Sequence, residues 1–297
     1  MKPSPFTYHR PESVEEALAV LADVGADGKV LAGGQSLLPV LSMRLAAPGH
    51  LVDINRLAEL AYVRADADGV RVGALARHAA VERDEAAARV QPLLRQGLRL
   101  VAHPTIRNRG TTVGSLAHAD PSGEMTAVLA VLGGTVTLAS AVPGRPGRRE
   151  VAAGDFFVGP LESAVGAGEL AVEAFFPLSA PGSGSAFVEV ARRHGDYAVC
   201  GVAAVVTPVG DRVDARLAYV SMGPTPPAAM LDWPVPADPA APSSWEQAAG
   251  TVVSSLEPEG DIHATADYRL HLARVLTGRA LAQAWSASRA ARDQEAA

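Results

Sequence analysis

The apolar and polar positions of the first 55 residues predict a small unit of helix and strand. Ser13 and Glu16 have the spacing of a helix capping box, and the apolar positions after them recur at helical spacing up to Gly25. Residues 29–36 indicate a short strand that breaks at two glycines and restarts as a helix. Residues 50–54 then have the composition of a short buried strand.

The pattern from residue 56 to residue 177 predicts a hairpin, helices and further strands. Residues 78 to about 101 have the apolar spacing of a helix, and 125–132 form a nearly all-apolar helix that we expect to be buried. The turn at 143–147 is rich in proline and glycine. The strands predicted here are 61–65 and 70–74, which form the hairpin, then 135–139 and 170–176.

A linker rich in Pro, Gly and Ser, at 177–184, predicts the main domain boundary. Beyond it we expect a surface loop at 224–242, where prolines are frequent, and a capping box at Ser243–Glu246 that starts a helix to about Leu256. The other elements expected there are strands at 186–191, 202–206 and 215–220, and a last helix over 266–287. The predicted domains are 1–55, 56–177 and 185–287, followed by a frayed tail at 288–297.

Composition excludes several classes of protein. The 297 residues carry a net charge of −6 and are 48% apolar, without the basic surface that nucleic acid requires. The first residues resemble no secretory signal and no stretch is long and apolar enough to span a membrane, so we expect a cytoplasmic protein. Cys200 is the single cysteine, so the chain has no internal disulfide and cannot ligate an iron–sulfur cluster by itself.

Two glycine-containing turns are candidates for binding an anion. Gly33-Gly34 lets the backbone approach a ligand closely, and the amides of Gln35 and Ser36 stand at the mouth of the next helix. A Gly-Gly pair before a helix is more often a plain loop. However, residues 105–124 form a second stretch rich in hydroxyl groups and glycine that also ends at a helix start. Two such turns suit the two phosphates of a diphosphate.

The strings Ala-Gly-Gly-Gln-Ser (32–36) and Arg-Asn-Arg-Gly-Thr-Thr-Val-Gly-Ser-Leu-Ala-His-Ala-Asp-Pro (107–121) resemble the FAD-binding medium subunit of the molybdenum hydroxylases, the carbon monoxide dehydrogenase and xanthine dehydrogenase family. The resemblance covers essentially the whole chain. It implies an α+β protein with a two-lobed FAD-binding fold of the PCMH type, followed by an α/β C-terminal domain of the CO dehydrogenase flavoprotein type.

The resemblance also implies which residues hold FAD. Glu124 matches an acidic position near the ribose or adenine side, and Tyr197, in Arg192–Ala198, would cover one face of the isoalloxazine. Packing between domains is the alternative role for Tyr197. Val113 departs from the family's glycine pattern and must offer its amide without a glycine-only backbone angle. The two cradles would be Ala32, Gly33, Gly34, Gln35 and Ser36, and Thr111, Thr112, Val113, Gly114 and Ser115.

By the same resemblance, the chain is the middle subunit of a three-subunit enzyme. A large molybdopterin-binding subunit would oxidise the substrate, and a small subunit with two [2Fe-2S] clusters would pass the electrons to FAD on this chain, in a dimer of heterotrimers (a heterohexamer). No catalytic acid or base is then required here. Neither the substrate nor the electron acceptor follows from this sequence.

Other interpretations remain at the level of the sequence. His118 and Asp120 could ligate a metal, but no second pair supports them, and no Gly-x-Ser-x-Gly elbow supports a hydrolase. The rivals to the electron-transfer subunit are a stand-alone flavin oxidoreductase with its own organic substrate and a scaffold without flavin, which Val113 suggests.

Overall fold

The computed structural model describes the backbone of residues 2–295 and the side chains of residues 2–292. The N-terminal lobe is a parallel sheet in the order β1-β3-β2, with a helix in the crossover between β1 and β2. Ser13 caps α1 by accepting a hydrogen bond from the amide of Glu16 at 3.1 Å, as predicted. The elements are β1 (Thr7–His9), α1 (Val14–Val24), β2 (Gly28–Leu31), α2 (Leu37–Ser42) and β3 (His50–Asp53).

The second lobe is a five-stranded antiparallel sheet with helices packed on it. Its strands are β4 (Val63–Asp66), β5 (Gly69–Gly73), β6 (Thr135–Ser140), β7 (Arg148–Ala152) and β10 (Glu169–Pro177), in the order β4-β5-β10-β6-β7, and a small hairpin is formed by β8 (Phe157–Gly159) and β9 (Glu162–Ser163). Its helices are α3 (His78–Arg83), α4 (Glu85–Val90), α5 (Pro92–Leu98), α6 (Pro104–Arg107), α7 (Thr112–His118), α8 (Glu124–Leu132) and α9 (Ala153–Phe156). The predicted hairpin, β4 with β5, and the buried helix α8 are confirmed.

The single helix predicted over 78–101 is wrong, because the structure divides this stretch into α3, α4 and α5. Asp84 leaves the helical conformation and caps α4 by accepting from the amide of Ala87 at 2.8 Å. Gln91 is also non-helical, since the residue before a proline, here Pro92, is forced away from helical angles. The apolar spacing therefore continues across two breaks of the backbone.

The C-terminal region is an antiparallel sheet in the order β11-β12-β13-β14 with two helices against it. Its elements are β11 (Gly184–Ala191), β12 (Ala198–Val209), β13 (Arg212–Val220), β14 (Ala228–Pro234), α10 (Glu246–Val253) and α11 (Ala266–Glu295). One face of the sheet packs on α10 and α11. Phe187, Ala203 and Ala218 belong instead to the core of the second lobe, where the sheet meets α5 and α8.

Three expectations for this region are wrong in part. Residues 224–242 contain the edge strand β14, which tolerates proline because it ends at Pro234. Ser243 makes no cap, since 242–245 is a 3-10 turn in which buried Trp245 donates its indole hydrogen to the carbonyl of Pro239. The last helix does not end at 287 but continues through Glu295; residues 296 and 297 of the predicted tail lie outside the described residues.

Candidate functional site

The first candidate turn lies at the carboxyl end of β2. Gly34 has a positive φ of 73°, and the side-chain amide of Gln35 donates to the carbonyl of Gly33 at 3.1 Å. Ser36 is the N-terminal cap position of α2, but its side chain does not cap the helix. Within residues 2–295, the amides of Gly33, Gly34, Gln35 and Ser36 make no hydrogen bond. The turn therefore offers a row of donors to a ligand.

The second candidate turn opens α7. Thr111 caps this helix by accepting from the amide of Gly114 at 3.2 Å. Thr112 is fully buried, and its hydroxyl lies 3.2 Å from Nδ1 of His78. Ser115 donates its amide to the carbonyl of Thr111 at 3.0 Å. The hydroxyls of Thr111 and Thr112 are thus already hydrogen-bonded to groups of the protein, the amide of Gly114 and the ring of His78.

Val113 fills the position where the family resemblance would place a glycine. Its side chain is 1% exposed and belongs to the core of the second lobe. The residue lies in α7, so its backbone is helical and needs no positive φ, as expected from the sequence. In the part of the chain that the structure describes, its amide makes no hydrogen bond. A side chain at this position is therefore compatible with an amide that faces a ligand.

The two turns lie against each other. A Cβ atom built on Gly33 would stand 2.5 Å from the carbonyl oxygen of Arg109 and 2.7 Å from Cα of Gly110. A Cβ built on Gly114 would stand 4.0 Å from Cβ of Ala32, and it would collide with Oγ1 of Thr111. Close approach of the second turn thus requires glycine at 33, whereas at 114 the colliding atom belongs to Thr111 of the same turn. The backbones of the two turns lie side by side.

Acidic groups and a tyrosine lie beyond the second turn. Glu124, at the start of α8, is 8% exposed, and burial together with Asp120 raises its pKa to about 7. Tyr197, between β11 and β12, has a side chain that is 70% exposed. Partial burial, then the charges of Asp120 and Glu124, raise the pKa of Tyr197.

Sequence reasoning missed three residues of this region. Asn55 and Arg77 connect the two turns through hydrogen bonds to Ala32 and Arg109. Glu189, on β11, has a buried carboxylate oxygen without a hydrogen-bond partner, and burial, then Glu124, raise its pKa to about 8. Asn55 lies two residues after β3, at the same sheet edge as the first turn, and this position in the sequence could have indicated it.

Asp120 lies in the loop before α8: its carboxylate accepts from the amide of Ser122 at 2.9 Å, and α8 begins at Glu124. Among the residues that the structure describes, no group of three or more His, Cys, Asp or Glu side chains could hold a metal ion. In that same part of the chain, none of the helices has the length and apolar character needed to cross a membrane.

Where the two lobes meet, the fold presents unpaired main-chain amides of the kind that suit an anionic group. Residues 4–179 match the family described as the FAD binding domain in molybdopterin dehydrogenase, and residues 185–284 match the CO dehydrogenase flavoprotein C-terminal domain. The chain belongs to this family of FAD-binding subunits of molybdenum-containing dehydrogenases. The fold class expected from the sequence, two FAD-binding lobes and a flavoprotein C-terminal domain, is confirmed.

Relatives of known activity cover almost the whole chain. Subunit alpha of the 6-hydroxypseudooxynicotine dehydrogenase complex of Paenarthrobacter nicotinovorans is 40% identical over 96% of both chains. The carbon monoxide dehydrogenase medium chain of Hydrogenophaga pseudoflava is 36% identical over 96% of this chain and 99% of its own. The crystal structure of quinoline 2-oxidoreductase from Pseudomonas putida 86 superposes with a TM-score of 0.86 at 37% identity, over 98% of this chain and 99% of that one.

The residues present fit FAD, the cofactor of this family. The unpaired amides of the first turn suit a diphosphate, and the glycine at 33 keeps the space beside Arg109 free of a side chain. The chain is thus an FAD-dependent oxidoreductase subunit. This outcome removes the motive for the scaffold without flavin, since the helical backbone of Val113 does not close the second turn.

Proposed function

We propose that this chain is the electron-transfer subunit of a three-subunit molybdenum hydroxylase. Electrons from substrate oxidation on a large molybdopterin-binding subunit would cross two [2Fe-2S] clusters of a small subunit, reach this chain and leave to an acceptor, within a dimer of heterotrimers. FAD supplies the redox chemistry, because a flavin can take up and release electrons one or two at a time.

The contact between the two turns is the observation that carries the proposal. Residues 32–36 would bind one part of the diphosphate through their amides, and residues 111–115 would bind the other, with the amide of Val113 as a donor that no protein group in the described residues uses. Glu124 would lie toward the ribose or adenine side, and Tyr197 would cover the isoalloxazine and exclude water from that face. We assign the domains to 1–55, 56–177 and 185–287, so that the flavin lies between the first two.

The single cysteine supports the division of labour between subunits. Cys200 is fully buried in β12, and burial raises the pKa of its thiol to about 12. A single buried thiol cannot supply the cysteine ligands that two [2Fe-2S] clusters need, so the clusters would belong to a partner. The relatives whose names describe a medium chain or a complex subunit support the same arrangement.

Purification of the chain from its native host tests this proposal. We expect it to co-purify with a larger and a smaller subunit, with stoichiometric FAD, molybdenum and iron, and its flavin to be bleached when the substrate of the complex is added anaerobically. The matched sample is the chain produced alone, which should bind FAD without being reduced by that substrate. A lone flavoprotein that oxidises an organic substrate by itself would overturn the proposal and favour the stand-alone oxidoreductase.

A further inference from the structure

A chain of short hydrogen bonds joins the two turns. The side-chain amide of Asn55 donates to the carbonyl of Ala32 in the first turn at 2.8 Å. Its Oδ1 atom accepts from Nη2 of Arg77 at 2.7 Å, and Nη1 of Arg77 donates to the carbonyl of Arg109, ahead of the second turn, at 2.5 Å. Two side chains therefore span the gap between the backbones of Ala32 and Arg109.

The ends of this connection are fixed by the rest of the fold. Arg77 pairs as an isolated bridge with Thr111, and the amide of His78 donates to the carbonyl of Gly110 at 2.9 Å, so the backbone of Arg77 is already tied to the second turn. Asn55 is held on the other side by Asp53, whose Oδ1 accepts from its side-chain amide at 2.6 Å. The guanidinium reaches from one anchored segment to the other.

The carbonyl of Arg109 is the point where this connection meets the close approach of the turns. It accepts the bond from Arg77 on one side and stands 2.5 Å from a Cβ built on Gly33 on the other. A shift of Arg77 would therefore release the backbone that sets the separation of the two turns. In the described part of the chain, Arg77 forms no ion pair, so its guanidinium is held by the two neutral acceptors, Asn55 and the carbonyl of Arg109.

We propose that Arg77 is a positioning residue for the cofactor: with Asn55, it holds the two turns at the separation at which their amides bind one diphosphate. This inference rests on the proposed function, because it assumes that both turns bind the same FAD. In this role Arg77 sets the arrangement of the two turns and does not contact the isoalloxazine ring.

Titration of the FAD-free full chain with FAD, followed by flavin fluorescence, tests this role. We expect Arg77→Met to weaken FAD binding roughly tenfold to a hundredfold, as the loss of charged hydrogen bonds predicts. Arg77→Lys keeps the charge but cannot reach both acceptors, so it should recover only part of the affinity. The matched control is Arg56→Met, which breaks the exposed pair with Glu12 one residue from Asn55 and should stay within about twofold of the wild type.

A double-mutant cycle with Asn55→Ala distinguishes positioning from independent contacts. If the two side chains act as one connection, the loss in Arg77→Met/Asn55→Ala is smaller than the product of the two single losses. Unfolding midpoints of the FAD-free variants show whether each one folds; if Arg77→Met does not, Arg77→Lys and Asn55→Ala carry the cycle.

Two results would overturn the inference alone: an Arg77→Met chain that binds FAD within about twofold of the wild type, or losses that multiply. A wild-type chain that binds no FAD would overturn the proposed function, and this inference with it.

Discussion

The carbonyl oxygen of Arg109 occupies the place where a side chain on Gly33 would begin, 2.5 Å from the position of its Cβ. Two turns that are separated by about eighty residues in the sequence are therefore in van der Waals contact at their backbones. This contact depends on the absence of a single methyl group. The centre of the site is therefore a contact between two backbones, and not a charged side chain.

Gly33→Ala is expected to separate the two turns and to weaken FAD binding at least tenfold. The added methyl group cannot be accommodated unless the backbone moves, and such overpacking costs about 1–3 kcal/mol. Equilibrium titration of the FAD-free chain measures this. The control is Gly250→Ala in α10, where a Cβ meets nothing within 4 Å and should add about 0.5–1 kcal/mol of stability. Unchanged FAD affinity in Gly33→Ala would contradict the contact.

Val113→Gly restores the glycine of the family pattern, yet we expect it to harm the protein. The side chain is 1% exposed, so its removal leaves a cavity in the core and puts glycine inside α7. The free energy of unfolding should fall by about 2–4 kcal/mol, as denaturant titration of the FAD-free chain would show. Tighter FAD binding in this variant would mean that the valine obstructs the site after all.

The stability of the FAD-free chain should fall as pH rises from about 5 to 8. Burial raises the pKa of Glu124 to about 7 and that of Glu189 to about 8, above the usual 4.5. The folded chain thus keeps protons that the unfolded chain has released, and the free energy of unfolding drops with pH by on the order of 1–3 kcal/mol.

Glu189→Gln isolates this effect, since the neutral amide removes one titrating group and the repulsion that it exerts on Glu124. Denaturant unfolding at pH 5.5 and pH 8 should show a smaller loss in the variant than in the wild type. The variant should also be the more stable of the two at pH 8. Equal losses in the two chains would show that other groups control the pH dependence.

Tyr197→Ala should leave the stability of the FAD-free chain nearly unchanged, because the side chain is 70% exposed. If the phenol covers the isoalloxazine, the variant should bind FAD about threefold to tenfold more weakly, because it loses the free energy of one aromatic stacking contact. Its bound flavin should also fluoresce more brightly. Tyr197→Phe keeps the ring and is the control. A flavin spectrum that Tyr197→Ala does not alter would leave the tyrosine as a packing residue.

Local signals in the sequence predicted most elements correctly. The cap at Ser13, the hairpin of β4 and β5 and the buried helix α8 all depend on residues within a few positions of each other. The same reasoning failed for β14, where proline frequency suggested a loop. That strand exists because β13 supplies its hydrogen-bond partners, and such pairing has no local signature.

The candidate site shows the same division between local and distant information. The sequence indicated Gly33 as a position of close approach to a ligand, but the approach of the second turn to Gly33 appears only in the structure. By contrast, Arg77 has an ordinary sequence context, and its importance arises only when folding brings Arg109 and Asn55 beside it. Glu189 was missed for a related reason, since an acidic residue within a strand is usually solvated, whereas here one of its carboxylate oxygens is buried without a hydrogen-bond partner.

The sheet of β11 to β14 has helices on both faces, so separating the two halves of the chain would expose apolar surface on each of them. A gene divided in the 177–184 linker would yield two fragments with exposed apolar surface, one on α8 and one around Phe187. Such fragments should precipitate when produced separately and assemble when produced together. The polypeptide thus behaves as a single indivisible building block for any larger assembly.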